Sequence, residues 1–412
     1  MDPEIGRPRL IWIVPKFPLG APDGARYATA VLLRHLATLS VDIELICLAK
    51  PDDEVDPAAA CAQLGVTRCT RVPRGSGLIP FAPWRTPLTF RTFAAAKVRR
   101  ELSQALAETQ AARRSQAAWV VFDGLHGAAA LTPSAWSFWA SAGSGFVYRA
   151  HNFETALWEQ CVAESRTPWT RRLVQYQASL VKAFERSVAE RAAWVAPVSD
   201  EDERRFKTLA PGVRTVVTRI GWDFPSEEEV RPVEVATRGL QLFFIGRLDW
   251  LPNRKGLVWF LEQVWPAVNR NRPDARLVIA GTGDAGWLEP YRRLPAVRWL
   301  GRVDQLEPLY RSCALTIAPL FQGSGMRVKI VEAARYARPT ISTALGAEGS
   351  TLIPGDSFYR AESAADWITL LSEVTLDECR DTGWQAFRRV KRTFDAPSIA
   401  RTFLAAFSRR PE

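Results

Sequence analysis

The chain has 412 residues, 47% of them hydrophobic and 24% charged, with a formal net charge of +10. That is enough chain for two domains of ordinary size rather than one large core, and enough apolar side chain to bury both. The positive balance suits an anionic partner, namely a nucleotide, a nucleic acid or an acidic membrane surface, and the six scattered cysteines contain no C-x-x-C pair, which argues against a zinc site or redox dithiol and for a reducing cytoplasm.

Short apolar runs alternate with helical stretches along the chain, the pattern of parallel α/β architecture. The opening MDPEIGRPRL has no apolar signal core, and the run at 9–14 is too short to cross a bilayer, so it reads as a first strand. The loop PKFPLGAPDGARYATA then enters a helix predicted over 24–39. Gly24 at this strand-to-helix turn permits a ligand to approach closely, and Arg26 lies near the helix start. A strand at 43–48 follows. Between 68 and 114 lies a basic face (Arg68, Arg71, Arg74, Arg85, Arg91, Lys97, Arg99, Arg100, Arg113, Arg114) interleaved with Phe81, Trp84, Phe90 and Phe93, and carrying a helix predicted over 90–112. Basic residues among aromatics favour an anionic membrane surface; a solvated helix face with core aromatics is the plainer alternative.

Strands at 118–122 and 146–149 run toward His126 and His151, with Asp123, Asn152 and Glu154 beside them. The carboxyl ends of parallel strands are the expected ligand edge. Helices at 170–191 and 200–209 and strands at 194–198 and 213–220 complete a first domain, 1–220. The acidic, proline-bearing segment 221–238 reads as a linker. The strand–helix pattern then restarts over 239–395, with strands at 240–245, 276–280, 297–300, 315–320 and 340–343 and helices at 253–269, 304–312, 327–337 and 364–371. A last helical stretch within 396–412 is able to pack back on the first domain.

Two doubly wound domains in series hold ligands beyond the carboxyl ends of their strands, so the expected architecture is two Rossmann-like domains facing across a cleft. In the second domain FQGSGMRVKIVE follows a strand and opens a helix. Gly323 and Gly325 let the backbone approach a ligand, and the helix N-terminus offers free N–H groups to a phosphate. Arg327 and Lys329 fall in the first turn, against the preference of the helix dipole for acidic groups, and an anionic ligand resolves that conflict. Glu332, one turn on, is suited to ribose hydroxyls. A second cation source is FFIGRLDWLPNRKG, where a strand runs into Gly246 and Arg247, with Lys255 a short loop later. Cations there neutralise charge growing on a departing nucleoside diphosphate.

The run FIGRLDWLPNRKG, LVIAGTG, WLGRVDQLEPLYRSCALTIAPLFQGSGMRVKIVEAA and PTISTALGAEG resembles, in order and over about 240–358, the donor half of the GT-B fold retaining glycosyltransferases grouped as family 4. The resemblance implies a nucleoside diphosphate sugar donor, retention of anomeric configuration, and chemistry with no bound metal and no further cofactor. It also implies Arg247 and Lys255 on the pyrophosphate, Glu332 on the ribose, and His151 near the donor's anomeric centre. The family's motif has two glutamates eight positions apart. Glu332 matches the second, but Ser324 stands at the first, which leaves backbone N–H groups of Gly325 and Met326 to hold the sugar. The first loop, with Gly24 and Arg26, resembles the family's acceptor-side glycine loop more loosely, and His126 and Asn152 are further acceptor-side candidates.

The implied acceptor is a lipid-linked saccharide, another glycan or a protein, in polysaccharide or glycoconjugate synthesis at the cytoplasmic side, peripheral to the inner membrane face. Two other reactions remain open. GTGDAG at 281–286 formally fits the dinucleotide pattern of a nicotinamide-dependent oxidoreductase, and a sugar-nucleotide epimerase shares the fold. No nucleic-acid-binding motif appears.

Overall fold

The computed structural model describes residues 8–19, 24–50, 53–74, 87–94, 96–111, 118–130, 145–165, 167–230, 239–322 and 326–408. They form two units, one running to Trp222 and resuming at Ala396, the other Asp223–Asp395.

The first unit has strands β1 (Arg9–Val14), β2 (Asp42–Ala49), β3 (Arg68–Pro73), β4 (Ala118–Asp123), β5 (Phe146–Ala150) and β6 (Trp194–Pro197). They lie in the order β3-β2-β1-β4-β5-β6, every pair parallel. Its helices are α1 (Gly24–Ala37), α2 (Pro57–Leu64), α3 (Ala96–Ala111), α4 (Leu125–Ala129), α5 (Glu154–Glu164), α6 (Pro168–Arg191) and α7 (Asp200–Leu209). In the second unit, helix α8 (Glu227–Val230) precedes β7 (Gln241–Ile245). Then come α9 (Leu251–Trp259), a π-helical turn, α10 (Trp265–Asn271), β8 (Arg276–Ala280), β9 (Val297–Gly301), α11 (Glu307–Ser312), β10 (Leu315–Ala318), α12 (Val328–Arg335), β11 (Thr340–Ser342), β12 (Tyr359–Arg360), α13 (Ala364–Glu373) and α14 (Leu376–Phe394). The second sheet runs β12-β11-β10-β7-β8-β9. Counted from the first strand of each unit, the two orders are the same doubly wound arrangement.

Central strands are apolar on both faces because helices cover both. Along β1 the side chains alternate: Ile11 and Ile13 enter a core with Val120 and Phe122, whereas Leu10, Trp12 and Val14 enter another with Leu45 and Val121. The latter core is closed by the chain's last helix, α15 (Ala396–Ser408), which packs on α1. Phe403, fully buried, meets the Trp12 ring with centroids 5.5 Å apart.

Several boundaries differ from the sequence reading for physical reasons. Segment 213–220 is not a strand and makes one bridge, Val195 with Thr215. Val195 N–H donates to Arg214 O and Val216 N–H to Val195 O, but the next donor in the ladder would be Pro197, which has no N–H. The helix predicted from residue 90 starts at Ala96, after a single 3-10 turn at Leu88–Phe90. The acidic stretch read as a linker is packed up to residue 230: Val230 is buried with Ala337 and Phe387, and Phe224 lies against them. Residues 231–238 lie outside the described residues.

Phe403→Ala removes a buried ring from the junction of α15, α1 and β1, and is expected to destabilise the first unit by about 3–5 kcal/mol. Trp169→Ala, at a ring 79% exposed on α6, is expected to change stability by no more than about 0.5 kcal/mol. Denaturant unfolding of the full chain compares the two.

Candidate functional site

Each sheet reverses its winding at one point, between β1 and β4 in the first unit and between β7 and β10 in the second. A crevice opens beyond the strand ends at such a point.

In the second unit β7 ends at Ile245 and the chain turns through Gly246. A Cβ on Gly246 would lie 2.6 Å from Asn253 Nδ2 and 3.0 Å from Lys329 Nζ, so only glycine fits. Asn253 is buried near the start of α9. Its Nδ2 donates to Arg247 O at 2.9 Å, and its Oδ1 accepts from Lys329 Nζ at 2.7 Å. The ammonium also sits 4.4 Å from the Phe244 ring centroid. Burial, with Arg327 adding repulsion, pushes Lys329 down to about 7. Arg327 is the buried N-cap residue of α12, with its guanidinium 5.8 Å from the Trp250 ring, and burial lowers its pKa as well. Two cations thus crowd one helix start among apolar rings, and an anion placed there would relieve both. Glu332, half-buried one turn later, accepts from Tyr310 Oη at 3.0 Å, and burial raises its carboxyl. Met326 is half-buried just before the helix. Gly323, Ser324 and Gly325 lie outside the described residues.

The other two cations stand differently from the sequence reading. Arg247 is exposed and already bonded twice to Asp249, at 3.1 and 2.6 Å. Lys255 is exposed on α9, and among the described residues no hydrogen bond or ion pair joins it to the Asn253–Lys329 set. Asn253, which the sequence reading did not single out, is the residue bonded to Lys329 in this network. No local signal marked it, because its partner is 76 residues away.

GTGDAG is not a dinucleotide loop. A Cβ on Gly281 would come within 2.0 Å of Gly246 O, and one on Gly283, at φ +94°, within 2.3 Å of Asp249 Oδ1. These glycines pack the end of β8 against the turn after β7. A short 3-10 turn follows at Gly286–Tyr291 rather than a long helix whose N-terminus could face a pyrophosphate.

In the first unit a cavity of about 380 Å³ opens at the β1/β4 switch. Asp123, the last residue of β4, is its buried centre. Asp123 Oδ1 lies 2.7 Å from Arg149 Nη1 and 2.7 Å from His151 Nε2, while Oδ2 accepts from Thr29 Oγ1 at 2.5 Å. Arg149 also donates to Thr29 Oγ1 at 3.0 Å. Burial pushes the Asp123 carboxyl up, but His151, Arg149 and Thr29 together outweigh it and hold the acid ionised, well below the usual range. With Nε2 turned to Asp123, Nδ1 is the ring nitrogen left for a ligand. The sequence reading missed Arg149 and Thr29; an arginine inside the apolar run FVYRA was the available signal.

His126 lines the same cavity, held edge-on by Phe90 and Phe93 at 4.9 and 5.2 Å, with Thr89 Oγ1 3.3 Å from its Nε2. Burial, then Arg74 and Lys16, push it down to about 4, so it is neutral at pH 7. Glu154, also lining the cavity, is pushed up to about 7 by burial and by Glu185. The buried Glu185 carboxylate in turn accepts from the Glu154 and Thr155 N–H groups and the Thr155 and Tyr148 hydroxyls. Arg26 and Asn152 line the cavity; Gly24 opens α1, and a Cβ there would meet nothing within 4 Å, so packing does not demand glycine. In the basic face, Phe90 and Phe93 are core residues, whereas Arg68, Lys97 and Arg100 are exposed. Phe81, Trp84, Arg85, Arg113 and Arg114 lie outside the described residues. Among the described residues no helix is long and apolar enough to cross a membrane.

The architecture is that of known sugar-transferring enzymes. The fold superposes on sucrose-phosphate synthase from Thermosynechococcus elongatus with a TM-score of 0.64 at 16% identity, covering 98% of each chain. It superposes on a Rickettsia africae glycosyltransferase with a TM-score of 0.63 at 12% identity, again over 98% of each. With Anabaena HepE, solved with UDP and glucose, the score is 0.56 at 13% identity over 98% of this chain and 100% of that one. The chain has the GT-B fold. Within it, residues 239–373 match the family model described as Glycosyl transferases group 1, and the match supports glycosyl transfer. The 44.6 kDa protein in the cps region of Klebsiella pneumoniae is 23% identical over 168 residues, 38% of this chain and 43% of that protein. The chain thus spans less than half of that relative's length.

A neutral, half-buried His126 makes stability acid-sensitive. The unfolded imidazole protonates near its ordinary value of 6.5, whereas the folded one resists to about 4. Its contribution is therefore intact above 6.5 and lost as pH falls through 4. Between those limits the wild type is expected to lose about 1–3 kcal/mol more stability than His126→Gln. Urea unfolding of both proteins at pH 7 and pH 4 measures the difference.

Proposed function

We propose that this chain moves a sugar from a nucleoside diphosphate sugar to an acceptor hydroxyl, with retention and without a bound metal, in the assembly of a polysaccharide or glycoconjugate. The observation that carries the reading is the pair of desolvated cations, Arg327 and Lys329, at the N-terminus of α12 beside the β7/β10 switch point. A diphosphate supplies the missing negative charge there, and as the glycosidic bond breaks its charge grows, so the same cations favour the departing state over the ground state. Glu332, held by Tyr310, is assigned to the ribose hydroxyls. Gly246 and the backbone N–H groups of 323–326 are assigned to the phosphates and sugar.

Arg247, exposed and bonded to Asp249, reaches the diphosphate only by leaving that carboxylate, and Lys255 acts as a distant charge. In the first unit His151, oriented by Asp123, positions the donor sugar rather than deprotonating the acceptor, and Asn152, Arg26 and His126 line the acceptor's seat. HepE, a structural neighbour, was solved with UDP and glucose, which supports a uridine nucleotide as the first donor to try. Protein working at the cytoplasmic face of a membrane, on a lipid-linked acceptor, is the setting that best suits the net charge of +10.

Thermal shift with UDP, GDP, dTDP and ADP sugars is expected to single out one base by a rise in melting temperature. No shift with any of them would end the proposal. Lys329→Met is expected to weaken nucleotide binding about tenfold or more, and Glu332→Ala to lower turnover with the fold intact. Binding is also expected to weaken as pH rises from 7 to 9. The free lysine loses its proton above about 7 and a bound anion restores it, so association takes up a proton, with up to about tenfold loss of affinity per pH unit. Calorimetry in buffers of different ionisation enthalpy reads that proton directly, and Lys329→Met is expected to abolish it. Chelators are expected to leave the rate unchanged.

A further inference from the structure

A second cavity, of about 740 Å³, lies wholly within the second unit. It sits at the other end of the sheet from the Arg327–Lys329 site. Ala337 and Arg338 on its wall precede β11, whereas the Arg327–Lys329 site lies beyond the carboxyl ends of the parallel strands. Helix α14 forms another side and is seated close because Gly383 has no side chain: a Cβ there would lie 2.1 Å from Ala337 O. Of the charged residues that line the cavity among the described residues, Arg338 is buried, at 5% exposure, and the others are exposed. Arg338 Nε donates to Tyr310 O at 2.7 Å and Nη2 to Arg311 O at 3.0 Å, at the end of α11. Its Nη1 has no hydrogen-bond partner and the guanidinium no carboxylate partner among the described residues, and burial lowers its pKa. Half-buried Trp384, on α14, stacks on Phe387 with centroids 5.3 Å and planes 13° apart, and the Arg388 guanidinium lies 5.0 Å from the same indole. The Trp384 indole N–H has no partner among the described residues. Arg380 is paired with Asp377, but Arg388, Asp381 and Glu227 form no ion pair among the described residues.

We propose that this cavity binds an acidic glycan, a saccharide chain that carries carboxylates on its sugar rings. A desolvated guanidinium with one nitrogen free is offset by a carboxylate, through a charge-assisted hydrogen bond. An indole that offers both an apolar ring and a free N–H suits a pyranose, which has a C–H face and hydroxyls on one ring. Asp381 and Glu227 are placed to accept from further hydroxyls. The same two acids argue against a dense polyanion such as polyphosphate or a nucleic acid. Apart from the Arg380–Asp377 pair, two cations on the wall face two acids, so one anionic group at a time is matched and a close run of them is repelled. The volume is within the range for an organic ligand and leaves room for a short oligosaccharide. None of these residues belongs to the Arg327–Lys329 site, so the proposal goes beyond the transfer reaction and does not depend on that reading.

Calorimetric titration of the full chain with tetragalacturonic acid tests the proposal. Wild-type protein is expected to bind it, and to bind uncharged maltotetraose at least about tenfold more weakly. Trp384→Ala and Arg388→Ala are each expected to weaken binding of the acidic tetramer by at least about fivefold. Arg68→Ala, at an exposed arginine of β3 in the first unit, is expected to leave it as in the wild type. Arg388 is exposed, so its variant decides the matter if Trp384→Ala fails to fold. A flat wild-type isotherm, equal affinity for the two tetrasaccharides, or unchanged affinity in Arg388→Ala overturns the proposal. Tighter binding of a heparin-derived tetrasaccharide than of the galacturonate would overturn the choice of a carboxylate glycan over a dense polyanion. Thermal shift with nucleotide sugars is read separately, so failure of that reading and failure of this one are told apart.

Discussion

The hydrogen bond from Lys329 to Asn253 is the contact on which the second unit's edge depends. It ties the first turn of α12 to the start of α9, and through Asn253 Nδ2 it fixes the carbonyl of Arg247 in the turn after β7. The same bond explains the glycine at 246, since a Cβ there would collide with both partners. It also sets the electrostatics. An ammonium held by one neutral amide over the Phe244 ring is poorly solvated, so its charge is only marginally stable without an anion nearby. Burying an ammonium in this way costs free energy that an anion beside it would offset.

The two units share one strand order and use opposite chemistry at their switch points. In the first, the group buried at the end of β4 is an acid, Asp123, satisfied by Arg149, His151 and Thr29. In the second, the groups at the start of α12 are cations with little carboxylate around them. An acid fully provided with donors is a positioning device: it fixes the ring orientation of His151 and has no capacity left for a ligand. Desolvated cations are the reverse, since an anion beside them would offset the cost of their burial.

What the sequence made legible follows from range. The central strands were readable because a run such as LIWIV, buried on both faces, has few other interpretations. The edge strand β3, RCTRVP, was not readable: most of its residues are exposed or half-buried, so it lacks an apolar run. Helix α14 was missed although Cys379, Gly383, Ala386, Phe387, Val390 and Phe394 recur at helical spacing, because small residues thin out its apolar stripe. Around the second unit's edge, the spacing of Arg327, Lys329 and Glu332 was enough to place them together at one helix start, as the structure has them. Asn253 and Arg149 did not, because their roles come from partners 76 and 26 residues away and from burial, neither of which spacing encodes.

The glycines of GTGDAG show why a pattern of residue types needs its surroundings before it means chemistry. Glycine is permissive, and permissiveness serves any close approach, whether the neighbour is a phosphate or another stretch of backbone. Here Gly281 lets the end of β8 touch Gly246 O, and Gly283 takes a left-handed turn under Asp249. The consequence reaches the ligand edge indirectly. Asp249 is the carboxylate that holds Arg247, and its place depends on the missing side chain at Gly283. A loop that fits a dinucleotide pattern is therefore the support for the turn after β7, and a side chain added at 283 would act on Arg247 through Asp249.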